Sequence, residues 1–303
     1  MKRFSALVVV LFFAVGMSFG QAISVNGGSI SGTITDPTGA VIPGASITIT
    51  NTDTGSVKVI QADSAGLYSV GPLIPGSYTV IVTMAGFQKL SVKTVVRTGT
   101  VTHGNFQLTL GASTQTIEVN ASQLQVNTDQ PGVSDVMSRE QIESLPINGR
   151  NFLDLAQIQP GVILQSGETF DPTKAGYSAI SVSGVSGRTT RILLDGQDIT
   201  EETVGTTIFN ASQSAIGDFQ LNRSTQDVSG DVTSTGQVLV STNSGTNRFH
   251  GQAFYDFQDY RAIFANTAGG IQTPFQRNQF GGSIGGPIIK DKLFFFGNAE
   301  RIK

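Results

Sequence analysis

The most constraining part of the chain is its last sixty residues. The stretch "FHGQAFYDF" (249–257) alternates: Phe249, Gly251, Ala253, Tyr255 and Phe257 share one face, while His250, Gln252, Phe254 and Asp256 share the other. Roughly 9–11 residues carry a tilted strand across a bilayer, and this stretch has that length. After 258–278 comes "QFGGSIGGPIIKDKLFFFGNAE" (279–300), a glycine-rich segment, a short charged turn at Lys290 and Asp291, and a segment holding Phe294, Phe295 and Phe296. A long connection followed by a short turn is the rhythm of an outer-membrane β-barrel. On this pattern His250 faces a lumen rather than a metal. The four glycines Gly281, Gly282, Gly285 and Gly286 are not a phosphate loop, since no Gly-Lys-Ser/Thr follows; they suit a strand packed closely against something inside the barrel. Three strands cannot close a barrel, and an open edge in lipid leaves backbone groups unsatisfied. The expectation is therefore the front of a longer protein.

Composition agrees with β structure. Charged residues are 14% of 303, and glycine occurs 36 times. Ser, Thr, Asn and Gln fill most polar positions, which favours strands and turns over a helical bundle. No stretch sustains a helical apolar period except near 141–158. There is no cysteine, which removes disulfide scaffolds, thiolate zinc sites and Cys nucleophiles. The two histidines, His103 and His250, are far apart and lie in no HxxH or HxxE spacing. No catalytic set, cofactor or metal site is expected, and the chain reads as a non-enzyme. Residues 122–243 carry 6 basic and 14 acidic side chains, a net −8, while 244–303 carry 7 and 4, a net +3. No basic stripe with interleaved aromatics appears, so nucleic acid is excluded as a partner.

The start is an export address. "MKRFSALVVVLFFAVGMSFGQA" has Lys2 and Arg3, an apolar run, and small residues Ser18 and Gly20 before a cut at Gln21. This is the tripartite pattern of a secretory signal peptide over 1–20.

From Ser29 strand and turn signals repeat every 8 to 12 residues, the pattern of an antiparallel β-sandwich over 29–111. Ile30, Gly32 and Ile34 alternate with hydroxyls; Pro37, Gly39, Pro43 and Gly44 supply a turn. "SGTITDPTGAVIPGASITI", "DSAGLYS" and "PGSYTVIVTMAGF" resemble the carboxypeptidase regulatory-like domain, a prealbumin-like sandwich. That resemblance does not imply peptidase activity: the segment has His103 but no glutamate, whereas a zinc carboxypeptidase needs His and Glu ligands and a Glu base. Tyr68 and Tyr78 read as packing residues.

Residues 112–122 form a linker containing "STQTIEVNAS". Thr116, Glu118 and Asn120 alternate with Ile117, Val119 and Ala121, as in an edge strand or in a peptide that adds to a partner's sheet. The segment resembles the TonB box of outer-membrane receptors. The resemblance implies that Thr116, Ile117, Glu118, Val119, Asn120 and Ala121 contact the TonB energy-coupling complex.

Residues 123–243 read as a small α+β unit. Ser138 and Gln141 fit a capping box opening a short helix that Pro146 ends. Residues 151–158 form a second short helix stopped by Pro160 and Gly161. Asp195-Gly196 is a tight turn after an apolar strand. "LPINGRNFLDLAQIQPGV", "SVSGVSGRTTRILLDGQDI" and "GQVLVSTNSGTNRFHG" resemble the plug domain of TonB-dependent receptors. Arg150 and Arg188 are candidate salt-bridge anchors of the plug to a barrel wall, with a solvated surface charge as the alternative for Arg150. An acidic unit of this kind suits a polar lumen, and barrels of about 22 strands have a plugged one.

In order, the segments resemble TonB-dependent receptors of the Oar-like branch: sandwich, box, plug, and the start of a barrel over 244–303. The resemblance implies a mainly β protein of the cell outer membrane with its sandwich in the periplasm. Its partners would be the TonB complex, outer-membrane lipid and an unidentified extracellular substrate taken up actively. The alternative is a secreted or surface β-sandwich module for binding or adhesion, without transport.

Overall fold

The computed structural model describes residues 27–111, 116–120, 134–145, 151–223, 236–259 and 276–303. The expected export leader, 1–20, lies outside them. The first unit contains strands β1 (Gly28–Thr35), β2 (Ser46–Asn51), β3 (Val57–Gln61), β4 (Leu67–Leu73), β5 (Gly76–Thr83), β6 (Lys89–Val96), β7 (Val101–His103), β8 (Phe106–Gln107) and β9 (Thr116–Asn120). One sheet runs β4-β1-β7, with β8 also on β1; the other runs β3-β2-β5-β6-β9. The two sheets close over Ile30, Ile34, Ile47, Val80 and Val82, each with no solvent exposure. These are the alternate positions of three strands, so the period-2 pattern is what places them on one face. Tyr68 and Tyr78 lie in this core, and their hydroxyls donate to the carbonyls of Gly104 and Ile74 at 2.7 Å. Buried phenols need such partners.

One detail differs from a wholly antiparallel sandwich. β7 and β8 run parallel to β1, and β9 runs parallel to β6. Alternation and turn spacing predict strands and hairpins. They say nothing of direction where the chain switches sheets, as it does after β6.

The second unit comprises β10 (Ser134–Met137), α1 (Arg139–Ser144), a 3₁₀ segment (Phe152–Ile158), β11 (Val162–Ser166), β12 (Ser178–Val182), β13 (Thr190–Leu194), β14 (Gln197–Asp198), β15 (Ile216–Asn222) and β16 (Gly236–Thr242). The main sheet runs β10-β15-β16-β13-β14, and β11 and β12 form a separate hairpin. The capping box opening α1 is present with both reciprocal bonds, Ser138 with Gln141. The second short helix is a tight 3₁₀ turn capped by Asn151, whose side chain accepts from the Leu153 N–H at 3.1 Å. It buries Phe152, Leu153, Leu155 and Ala156 completely, and Gly161 at φ +78° turns the chain away after it. Asp195 and Gly196, at φ +48° and +84°, make the two-residue turn between β13 and β14, the geometry that a primed hairpin turn requires.

The last unit is an antiparallel sheet of β17 (His250–Asp259), β18 (Gln276–Ile289) and β19 (Leu293–Ile302). Phe249, Tyr255, Phe280, Ile284, Ile288 and Leu293 are exposed on it. Within the sheet, the glycines Gly285 and Gly286 of β18 lie against neighbouring rings. A side chain at Gly285 would strike the His250 ring at 2.8 Å, and one at Gly286 the Phe249 ring at 2.5 Å. The reason is cross-strand: His250 stacks near Phe296 and Phe249 tilts against Phe295, with centroids 6.5 and 6.3 Å apart. The bare backbone of β18 makes room for rings reaching in from both neighbours.

The two globular cores are separate clusters. Truncating Ile47 to Ala should destabilise the sandwich by about 2–5 kcal/mol. Hydrogen exchange should speed up in β2 and β5 and stay unchanged in β13 and β16; equal loss in both would show a single cooperative unit.

Candidate functional site

Three places carry the functional geometry: the β9 segment, the plug's contact with the barrel strands, and its contact with the sandwich. β9 pairs with β6 in parallel, from Lys89 beside Thr116 to Lys93 beside Asn120. It closes one end of its sheet, so the five described residues expected to contact TonB form an edge strand. Ala121, the sixth, lies outside the described residues.

The plug meets the barrel strands through a 3₁₀ turn (Gln213–Ala215) that leads into β15. Ser212 donates from its hydroxyl to Glu300, and Gln279 donates from its amide to the other oxygen of the same carboxylate. Asn298 donates to the Ser214 hydroxyl at 2.6 Å and to the Gly282 carbonyl at 3.2 Å. Asn298 and Glu300 are two residues apart on β19 and so share its inner face. Behind the turn, Asn243 is buried and donates to the carbonyls of Ser214 and Ile216. Gln213 donates to the carbonyl of Leu145, beyond the end of α1.

Of the two arginines proposed as anchors, Arg150 lies outside the described residues. Arg188 donates to the Thr203 carbonyl at 2.7 Å, a bond within the plug. Gly205, at φ +73°, lies against its backbone. Sequence reasoning passed over the uncharged donors that do bridge plug and barrel. The signal was present in "FFFGNAE": two polar residues at period 2 inside an apolar strand mark a face turned toward something wet or polar.

The sandwich meets the plug at Asp218 of β15. This carboxylate is 5% exposed. Its Oδ2 accepts from the Thr98 N–H at 2.7 Å, and its Oδ1 lies 3.8 Å from Arg97 Nη1, an ion pair too long for a hydrogen bond. Burial pushes the Asp218 carboxyl up from its ordinary value, and the Thr98 bonds and Arg97 pull the other way without cancelling it. A cavity of about 410 Å³ lies beside this contact, lined among others by Asp53, Arg97, Arg139, Glu140 and Asp218. Among the described residues no group of three His, Asp or Glu side chains gathers to hold a metal ion, and no helix is long and apolar enough to cross a membrane.

Residues 29–109 match the carboxypeptidase regulatory-like domain, 126–236 the TonB-dependent receptor plug domain, and 241–303 the outer membrane beta barrel domain. These are the domains of a TonB-dependent receptor. The plug and barrel domains place the chain in the outer membrane. The TonB-dependent transporter Oar of Myxococcus xanthus is 24% identical over 306 residues, covering 93% of this chain. The chain spans 27% of that relative's length. Among solved structures, the siderophore receptor PirA from Acinetobacter baumannii is similar over 56% of this chain and 24% of its own, at TM-score 0.41 and 24% identity. The ferric enterobactin receptor PfeA from Pseudomonas aeruginosa is similar over 56% and 25%, at TM-score 0.41 and 16% identity. A catechol 1,2-dioxygenase from Acinetobacter radioresistens overlaps 34% of this chain and 57% of its own, at TM-score 0.25 and 14% identity.

Two outcomes follow for the plug. Glu300→Leu leaves the Ser212 hydroxyl and the Gln279 amide without their acceptor, and each such loss costs about 1–3 kcal/mol. Exchange protection at 212–216 should drop, while Glu300→Gln, which keeps an acceptor oxygen, should restore most of it. For Asp218, the folded form holds its proton more tightly than the unfolded chain. Its contribution to stability therefore falls as pH rises through the raised value, and is level below the ordinary carboxylate range. The difference in melting temperature between parent and Asp218→Asn should show that slope; no difference with pH would refute it.

Proposed function

We propose that this chain forms the N-terminal part of a TonB-dependent outer-membrane transporter or receptor that takes up an extracellular substrate actively. The observation that carries the reading is the polar seam between plug and barrel strand, where Ser212 and Ser214 meet Glu300 and Asn298. Such a seam holds a plug in a lumen by hydrogen bonds that water can replace, so the plug shifts without tearing an apolar core. The exposed apolar residues of β17, β18 and β19 then face lipid, which a secreted adhesive module would not need. Within this reading 244–303 begins the barrel, and the sandwich lies on the periplasmic side beside the short β18–β19 turn. The substrate is released inward when the energy complex draws on the segment at Thr116–Asn120 and moves the plug. Strand addition to that segment gives the complex its grip through backbone bonds.

The test uses no substrate. A photo-crosslinking residue at Glu118 in living cells should capture TonB. Ile117→Pro removes a backbone donor and should abolish capture without lowering protein level. Capture that persists in the proline variant removes the coupling role from this segment.

A further inference from the structure

The loop between β6 and β7 does more than switch the chain from one sandwich sheet to the other. Thr98 has no solvent exposure although it sits at a turn of its own domain. Its N–H is given to Asp218 at 2.7 Å, and its hydroxyl to the Ser241 Oγ at 2.9 Å. Asp218 and Ser241 are paired neighbours on β15 and β16, so one residue of the sandwich bridges the central pair of the plug sheet. Gly99, at φ +62°, follows. A side chain there would lie 2.5 Å from Leu239 Cδ1 and 2.7 Å from Gln220 Oε1, again one residue from each of the two strands. Glycine is the residue that allows both the left-handed turn and the close approach. The loop is tied to both sandwich sheets, by direct continuation from β6 and by the Ser29 N–H donated to the Thr100 carbonyl at 2.9 Å.

We propose that residues 97–100 are a clasp through which the sandwich grips the plug sheet at Asp218 and Ser241, so that force applied to the sandwich reaches the plug there, independently of the chain that joins the two domains.

The chemistry suits a grip that holds and can be released. A hydrogen bond to a buried carboxylate is stronger than a neutral one. The bonds are nevertheless polar and flank the cavity that holds Arg97, Asp218 and Ser241 on its wall, so water can take their place when the clasp opens. β9 lies along β6, the strand that leads into Arg97. A load taken up along β9 is passed to β6 by hydrogen bonds that must break together, and it arrives at the clasp. The sandwich has a second contact, the Asn247 N–H donated to the Asp53 carbonyl at 2.8 Å, with Asn247 in turn bonded to Asp291 of the β18–β19 turn. That contact ends on the barrel side and does not reach the plug sheet. Only the source of the load rests on the transport reading; the clasp does not.

The test is mechanical. Peptide handles are placed after Ser64, in an exposed sandwich turn, and after Lys303, and the full chain is stretched in detergent micelles between optical traps. The parent should show a separation step for the sandwich before the plug unfolds. Asp218→Leu, which removes the acceptor, and Gly99→Val, which pushes the loop off the sheet from the other side, should each lower the force of that step or abolish it. Asp218→Asn keeps an acceptor for the Thr98 N–H and should retain the step. In the cysteine-free chain the pair Thr98→Cys with Ser241→Cys should close a disulfide that removes the step until a reductant is added. An absent step in the parent, or an unchanged step force in both Asp218→Leu and Gly99→Val, overturns the proposal. Failure of TonB capture at Glu118 would remove the coupling segment and leave these forces as they are.

Discussion

Strands β15 and β16 are held at six paired positions, from Ile216 beside Thr242 to Asn222 beside Gln237; the sandwich bonds to that pair directly, and the barrel strands bond to the turn that leads into it. β10 extends it on one side and β13 on the other. Phe219, Leu221, Val238 and Val240 have no solvent exposure and anchor the plug core. Ser212 and Ser214 lead into β15 and reach the barrel wall. Asp218 and Ser241 receive the sandwich. A ladder buried on both faces is costly to distort, since close-packed interiors yield little before they rearrange. The plug therefore presents rigid attachment points, and its polar seams are where movement costs least.

Much of this was legible in the sequence because local chemistry and final structure agree. The capping box at Ser138 and Gln141, the Asp195-Gly196 turn and the alternation of Ile30 with Ile34 are short-range signals that no tertiary contact overrides. The alternation at 249–257 likewise named the strand and its two faces. Direction was not legible: β7, β8 and β9 run parallel to their partners because the chain returns from another sheet, and period-2 patterning carries no sense of direction.

The contact residues between domains were the least legible. Charge drew attention to Arg150 and Arg188, yet Arg188 bonds within its own domain, and the described bridges are made mainly by Ser, Thr, Asn and Gln. These residues are common everywhere in a chain so rich in hydroxyls and amides, so composition gives no way to single out the few that face a neighbour. Asp218 is a partial exception. A lone carboxylate between the apolar residues of "IGDFQL" invites the question of what satisfies it, and the answer lies 120 residues earlier, at Thr98.

The bare stretch of β18 has a further consequence. With Gly285 beside His250 and Phe296, and Gly286 against the Phe249 ring, the observed alignment of β17, β18 and β19 gives each ring an empty place. A slip of one residue would turn Phe280 and Ile284 inward and set the rings against side chains instead of backbone. The glycine pair thus acts as a register key for the first three strands. In a closed barrel, stagger, tilt and diameter are linked, so a key cut at the first strands constrains the bore of any wall built onto them.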